Sequence, residues 1–161
     1  MVIGKELSAA ICPISAAMSK PRIDRFFEDE PFLHLSSYGG AGLGSVAASA
    51  MLDILTGPGF LENVKERADQ FARGLADMCT RYPWLIKQVR QRGLMIGMEM
   101  REDMYDPALT LALAQRGVLA NYAGARENTV IIMPPLIIGP EDTELALNAL
   151  EDSLRIMATS E

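Results

Sequence analysis

The chain has 161 residues, 49% of them hydrophobic and 22% charged, which is enough for one ordinary domain with a core or for a small domain with part of a larger one attached. This composition excludes intrinsic disorder and collagen-type repeats. The 21 acidic against 15 basic residues, a net charge of −6, leave no electrostatic footprint for nucleic acid. Cys12 and Cys79 lack metal-ligand spacing and His34 is the sole histidine, so free thiols are expected and a zinc site is not. No apolar run approaches the roughly 20 residues of a membrane span, and the N-terminus lacks a signal-peptide layout. The expectation is a soluble, cytoplasmic protein with no membrane partner.

Residues 4–18 (G-K-E-L-S-A-A-I-C-P-I-S-A-A-M) and 36–45 (S-S-Y-G-G-A-G-L-G-S) are rich in small and turn-forming residues and read as pieces of a site. Ile11 to Met18 could form a short buried strand, with Pro13 confining it to a strand start or an edge. Lys20 to Pro31 is charged and predicts an exposed connection, with one helical turn around Arg22 to Phe27. Small residues alternating with Val46, Met51 and Ile54 predict a close-packing helix over Leu43–Leu55, ended by Thr56-Gly57-Pro58-Gly59. Leu61, Val64, Ala68, Phe71, Leu75, Met78 and Tyr82 fall at steps of three and four, the apolar stripe of a long amphipathic helix that Pro83 stops.

Leu94, Ile96, Met98 and Met100 alternate with Met95, Gly97 and Glu99, the period of a strand. A helix is expected from Asp106 as N-cap, with Pro107 at its first position, to Gly117 as its stop. Val118–Tyr122 and Val130–Met133 read as short strands around a Gly-Ala-Arg-Glu-Asn turn, and Pro134-Pro135 ends the second. The last helix opens at Gly139-Pro140-Glu141-Asp142 and carries the stripe Leu147, Leu150, Leu154 and Met157. From Phe60 onward the order α, β, α, β, β, α predicts a small α/β layer domain with helices covering the sheet.

Lys5 is the most suggestive ionisable residue. Its small, apolar neighbours would desolvate it if they buried it, and a desolvated amine attacks carbonyls. A lysine so near the start of a chain is more ordinarily a solvated surface charge. The Ser36–Gly42 segment ahead of a helix offers hydroxyls and free backbone N–H groups of the kind that cradle phosphate, or a plain glycine-rich turn. His34 beside Phe32 and Leu33 reads as a packed histidine. Arg90 and Arg92 read as surface pairs, the methionines as core, and the acidic clusters lack calcium-loop spacing.

In order along the chain, these segments resemble the C-terminal portion of the class III aminotransferases, the acetylornithine, ornithine, 4-aminobutyrate and diamine aminotransferase group. Residues 4–18 resemble the segment around the Schiff-base lysine, and H-L-S-S-Y-G-G at 34–40 resembles the family's His, hydroxyl-rich, aromatic, Gly-Gly stretch. V-A-A-S-A-M-L-D-I-L, L-E-N-V-K-E-R-A, V-R-Q-R-G-L-M-I-G-M-E-M and I-I-M-P-P-L-I-I follow at family-like distances.

The resemblance implies pyridoxal 5'-phosphate as cofactor and an α/β fold: the C-terminal part of the fold type I transferase architecture. Residues 1–59 would be a remnant of the large cofactor domain and 60–161 the complete small domain. Lys5 would be the catalytic lysine that binds the cofactor and shuttles a proton. Ser37, with Ser36 beside it, would reach the cofactor phosphate, Ser37 that of the other subunit of a homodimer. The substrates would be an amine or amino acid and a keto acid.

Three departures stand out. Family glycines after the lysine are Ser8, Ala9 and Ala10, where each Cβ adds strain if positive φ is required. Gly-Gly-Asn-Pro has become Gly39-Gly40-Ala41-Gly42. The arginine that grips a substrate α-carboxylate is replaced by Val130, Ile131 and Ile132, which favours an amine or ω-amino acid. The family residues that hold the pyridine ring and most of the phosphate precede the lysine, so the chain is expected to act only with an N-terminal complement. The competing readings are a non-catalytic regulatory or assembly module and a truncated product.

Overall fold

The computed structural model describes residues 1–30, 32–33, 35–123 and 128–159. His34 and most of the Gly-Ala-Arg-Glu-Asn turn fall outside them. The chain divides into two compact units, Met1–Phe60 and Leu61–Glu161.

The second unit is built around a continuous apolar cluster. Helix α3 (Phe60–Arg81) leads into strands β3 (Ile86–Arg92) and β4 (Met95–Met100), helix α4 (Tyr105–Ala114), strands β5 (Asn121–Tyr122) and β6 (Thr129–Ile132), and helix α5 (Pro140–Thr159). The strands form one sheet in the order β3-β4-β6-β5, every neighbouring pair antiparallel. The alternation read in β4 is realised: Ile96, Met98 and Met100 are buried, and Met98 lies opposite Val130 of β6. The helical stripes behave likewise, with Phe71, Leu75 and Met78 of α3 and Leu150 and Leu154 of α5 buried in the same cluster.

Helix α3 crosses close to α5 at Gly74, where an added Cβ would stand 2.7 Å from a methyl of Leu147. Polar bonds fix the two helices at both ends. Asn63 donates to the Ile138 carbonyl (3.1 Å) and Gln70 to that of Pro140 (3.1 Å). At the other end Glu151 accepts from the Tyr82 hydroxyl at 2.5 Å and from Arg81.

Strand β3 was not among the expected elements. It is an edge strand, and its sequence I-K-Q-V-R-Q-R shows the charged pattern by which edges resist further pairing, not the apolar alternation of a half-buried strand. Helix α4 starts at Tyr105, its N-cap position held by Met104 at φ +76°, two residues earlier than the Asp-Pro signal suggests.

The first unit has short strands β1 (Val2–Ile3) and β2 (Ala16–Ala17), paired antiparallel, a single 3₁₀ turn over Lys5–Ser8, and helices α1 (Pro21–Asp29) and α2 (Gly42–Leu55). The strand expected over Ile11–Met18 shrinks to Ala16–Ala17, with Ile11 exposed, because residues 9 and 10 turn the chain through left-handed conformations before it can extend. The single helical turn expected around Arg22 is a nine-residue helix whose residues are all exposed. Among the described residues, no single helix is long and apolar enough to cross a membrane.

Candidate active site

Lys5 opens the 3₁₀ turn of a closed loop, two residues beyond β1. The β1–β2 pairing brings Ile3 opposite Ala16, and Met1 and Met18 exchange backbone bonds of 2.7 Å at the base. Within the loop, Leu7 N–H donates to Gly4, Ala9 N–H to Glu6 and Ile11 N–H to Ser8 carbonyls. The turn packs against α2, whose Gly44 lies against the Ile14 side chain: an added Cβ would stand 3.3 Å from Ile14 Cδ1.

The backbone here is strained. Lys5, Ala9 and Ala10 have φ of +55°, +53° and +59°. A left-handed conformation costs a residue with a Cβ roughly 1–2 kcal/mol, where glycine adopts it freely. The expected penalty of replacing glycine is therefore real at Ala9 and Ala10. Ser8 has no positive φ; it is fully buried, and its hydroxyl donates to the Cys12 carbonyl and accepts from the Cys12 N–H at 3.2 Å.

The Lys5 side chain is exposed within this chain. The desolvated setting its neighbours suggested is thus not provided by these residues alone. The loop is too short and too rich in alanine to form a wall, and the larger apolar side chains nearby, such as Ile11, face solvent.

Ser36 and Ser37 lie, exposed, in the tight turn ahead of α2. Gly39 N–H donates to the Ser36 carbonyl (3.1 Å) and Ala41 N–H to that of Tyr38 (3.2 Å), and Gly40 takes φ +68°. Ala41 caps α2 without a side-chain hydrogen bond, so the first helical N–H groups have no capping side chain. The exposed Lys5 amine suits an aldehyde, and the Ser36 and Ser37 hydroxyls with the uncapped N–H groups of α2 suit a phosphate, the two functions of a phosphorylated aldehyde.

The sequence positions that could have held a carboxylate-gripping arginine are taken up by β6. Val130 and Ile132 are buried in the core of the second unit, and Thr129 takes a 3.5 Å bond from Arg90. Arg90 and Lys87 also face Glu99, which accepts from Lys87 (2.5 Å) and Gln88 (2.5 Å). These bonds hold the Glu99 carboxyl below its usual range, Gln88 and then Lys87 contributing most. Arg90 therefore belongs to a sheet-surface cluster, as the surface-pair reading anticipated. The Ser8 bridge is the site feature that sequence reasoning missed. The available signal was a hydroxyl residue where a glycine is expected, directly ahead of two alanines in the same situation.

Among the described residues no group of three or more His, Cys, Asp or Glu side chains could hold a metal ion, and both cysteines are free.

A family model for class III aminotransferases matches residues 1–154. An uncharacterized aminotransferase of Archaeoglobus fulgidus is 34% identical over 156 residues, covering 97% of this chain and 37% of the relative. Acetylornithine aminotransferase of Brucella melitensis is 35% identical over 122 residues, covering 76% of this chain and 29% of the relative. Among solved structures, ornithine aminotransferase of Toxoplasma gondii superposes with a TM-score of 0.88 at 28% identity over 99% of this chain and 37% of that one. A second crystal structure of that enzyme, with pyridoxal phosphate partly occupying its active site, gives a TM-score of 0.77 at 30% identity over 95% of this chain and 36% of that one. The chain thus spans about a third of the length of the proteins it matches.

Proposed function

The chain belongs to the class III aminotransferase family, pyridoxal-phosphate enzymes of fold type I, and on that membership we propose that it carries the reactive lysine and the small domain of an aminotransferase. The observation that carries this reading is Lys5, an exposed primary amine fixed at φ +55° in a closed loop packed against α2. When bound, pyridoxal phosphate supplies an electron sink for the charge left as a bond to the amine-bearing carbon breaks. Lys5 Nζ would hold the cofactor's aldehyde carbon and, once displaced by the substrate amine, carry a proton between substrate and cofactor carbons. Ser37 Oγ and its N–H, with Ser36 Oγ, would bind phosphate oxygens, those of the other subunit in a homodimer.

Activity would require the rest of the large domain. Among the described residues of Met1–Phe60 the buried ones are Ser8, Gly44 and Ala48, while Phe32, Tyr38 and Leu43 are 81%, 87% and 76% exposed. Such a surface calls for a cover. Residues 1–59 would be one edge of that large domain and 60–161 the small domain. The acceptor would be a keto acid, and the donor an amine or ω-amino acid, since Val130, Ile131 and Ile132 offer no cation for a donor's α-carboxylate.

A chimera tests this: the chain replaces the matching C-terminal part of the Archaeoglobus relative. After incubation with pyridoxal phosphate and borohydride reduction, peptide mapping should find the pyridoxyl mass on Lys5. The chimera should also move amino groups from an amine panel to pyruvate, and Lys5→Ala should abolish both. A folded chimera with no label on Lys5 would overturn the reading. The isolated chain should label Lys5 no better than Lys20, which is also exposed.

A further inference from the structure

We propose that the Ser8 hydroxyl is a positioning residue: it locks the loop over Ser8–Cys12 and thereby holds Lys5 in the left-handed conformation that presents its amine. The inference rests on the assignment of Lys5 as the cofactor lysine.

Three residues with a Cβ, Lys5, Ala9 and Ala10, share positive φ within six positions of chain. Left to itself such a segment would relax toward φ below zero, because nothing in an alanine or lysine side chain favours the left-handed region. Something must over-determine it. The hairpin base, the Leu7 N–H bond to Gly4 across Lys5 and the Ile11 N–H bond to Ser8 across Ala9 and Ala10 are backbone bonds that a glycine-rich loop would make equally, and α2 packs against the turn. Among the described residues, Ser8 supplies the one side chain that hydrogen-bonds within the loop, and it does so twice, to the N–H and the carbonyl of Cys12. The two bonds close a ring around Ala9, Ala10 and Ile11. Among the described residues of its unit Ser8 is the fully buried polar one, so its hydroxyl depends on Cys12 for its partners. Glycines would let this loop take its shape without a clamp. With alanines, the chain needs one, and the serine provides it.

The clamp and the strained alanines are therefore linked, and the linkage separates a positioning role from a merely structural one. In Ser8→Ala the Cys12 N–H and carbonyl lose their partner. In the isolated chain the Cys12 amide should exchange with solvent roughly tenfold faster or more. In the chimera, Lys5 labelling by pyridoxal phosphate should fall several-fold while labelling of Lys20 is unchanged. Adding Ala9→Gly and Ala10→Gly to Ser8→Ala should restore Lys5 labelling in part, because glycine takes positive φ without the Cβ penalty that the clamp offsets.

Wild-type exchange and labelling in Ser8→Ala would overturn the proposal. So would a loss that the two glycines fail to restore, since a serine that only fills space in the unit would not be rescued by changes at positions 9 and 10. Should Ser8→Ala not fold, the triple variant carries the test: its recovery of fold and of Lys5 labelling supports the clamp, and its failure sinks it. If Lys5 is never labelled in the parent chimera, the functional reading fails, and the amide exchange of Cys12 still decides whether Ser8 is the clamp.

Discussion

The two units solve the problem of stability differently. Leu61–Glu161 encloses Phe71, Leu75, Leu85, Ile96, Met98, Leu109, Leu113, Val130, Leu150 and Leu154, each at 2% exposure or less. Among its described residues Met1–Phe60 buries a serine, a glycine and an alanine, and displays aromatic and aliphatic side chains on its surface. A core of the first kind supports a fold by removing apolar area from water. A set of the second kind cannot, so its shape rests on backbone pairing, the Ser8 bridge and the packing of the Lys5 turn on α2. The unit that carries the candidate lysine is thus the less self-sufficient one.

The largest expected effect breaks this contrast or upholds it. Phe71→Ala should destabilise the second unit by about 3–5 kcal/mol, measured by urea unfolding followed by far-ultraviolet circular dichroism, as expected for truncating a fully buried aromatic. Leu43→Ser in the first unit should change stability by about 0.5 kcal/mol or less, because Leu43 is already solvated. A comparable loss at both positions would mean that the first unit has a core of its own.

Of intermediate size is the close crossing of α3 and α5. Gly74→Ala gains about 1 kcal/mol of helix propensity but drives a Cβ to 2.7 Å from Leu147 Cδ2. Overpacking of this kind costs about 1–3 kcal/mol, so a net loss of about 1 kcal/mol is expected. Leu147→Ala should cost less in the Gly74→Ala background than alone, a coupling that a double-mutant cycle measures. Additive losses would show that the helices slide apart instead of clashing.

The same contrast explains what the sequence disclosed. Where a face is buried, burial imposes a period, and the stripes of α3, β4 and α5 could be read from Phe71, Leu75, Met78, Ile96, Met98, Leu150 and Leu154. Where nothing is buried, no period is written. Helix α1 is exposed throughout and β3 is a charged edge, so one was underestimated and the other missed. The candidate lysine, its loop and the serines ahead of α2 were visible through family resemblance, whereas their conformations were not. A positive φ at Ala9 or Ala10 leaves no mark on the residue itself, since alanine is common everywhere; only the contrast with expected glycines hinted at it. The Glu151 bridge to Tyr82 and Arg81 spans some 70 positions of chain, a distance over which local patterning carries no information.

The smallest effect tests whether surface charge contributes to the second unit beyond its core. Glu99 accepts from Gln88 and Lys87 across the β3–β4 pair, which lowers its carboxyl from the ordinary value. A carboxyl lowered in the folded state binds fewer protons there than in the unfolded chain, so its contribution is present above the unfolded value of about 4.5 and is lost as pH falls through the lowered folded value. Glu99→Gln should therefore leave a flatter acid limb in a plot of stability against pH, with the difference from the parent chain vanishing toward strongly acidic solution. The effect should shrink in added salt, since Lys87 is itself well exposed and screening weakens the pair. An unchanged acid limb would assign the whole stability of this unit to the apolar cluster and leave the cross-strand charges only the task of keeping the β3 edge from pairing with another chain.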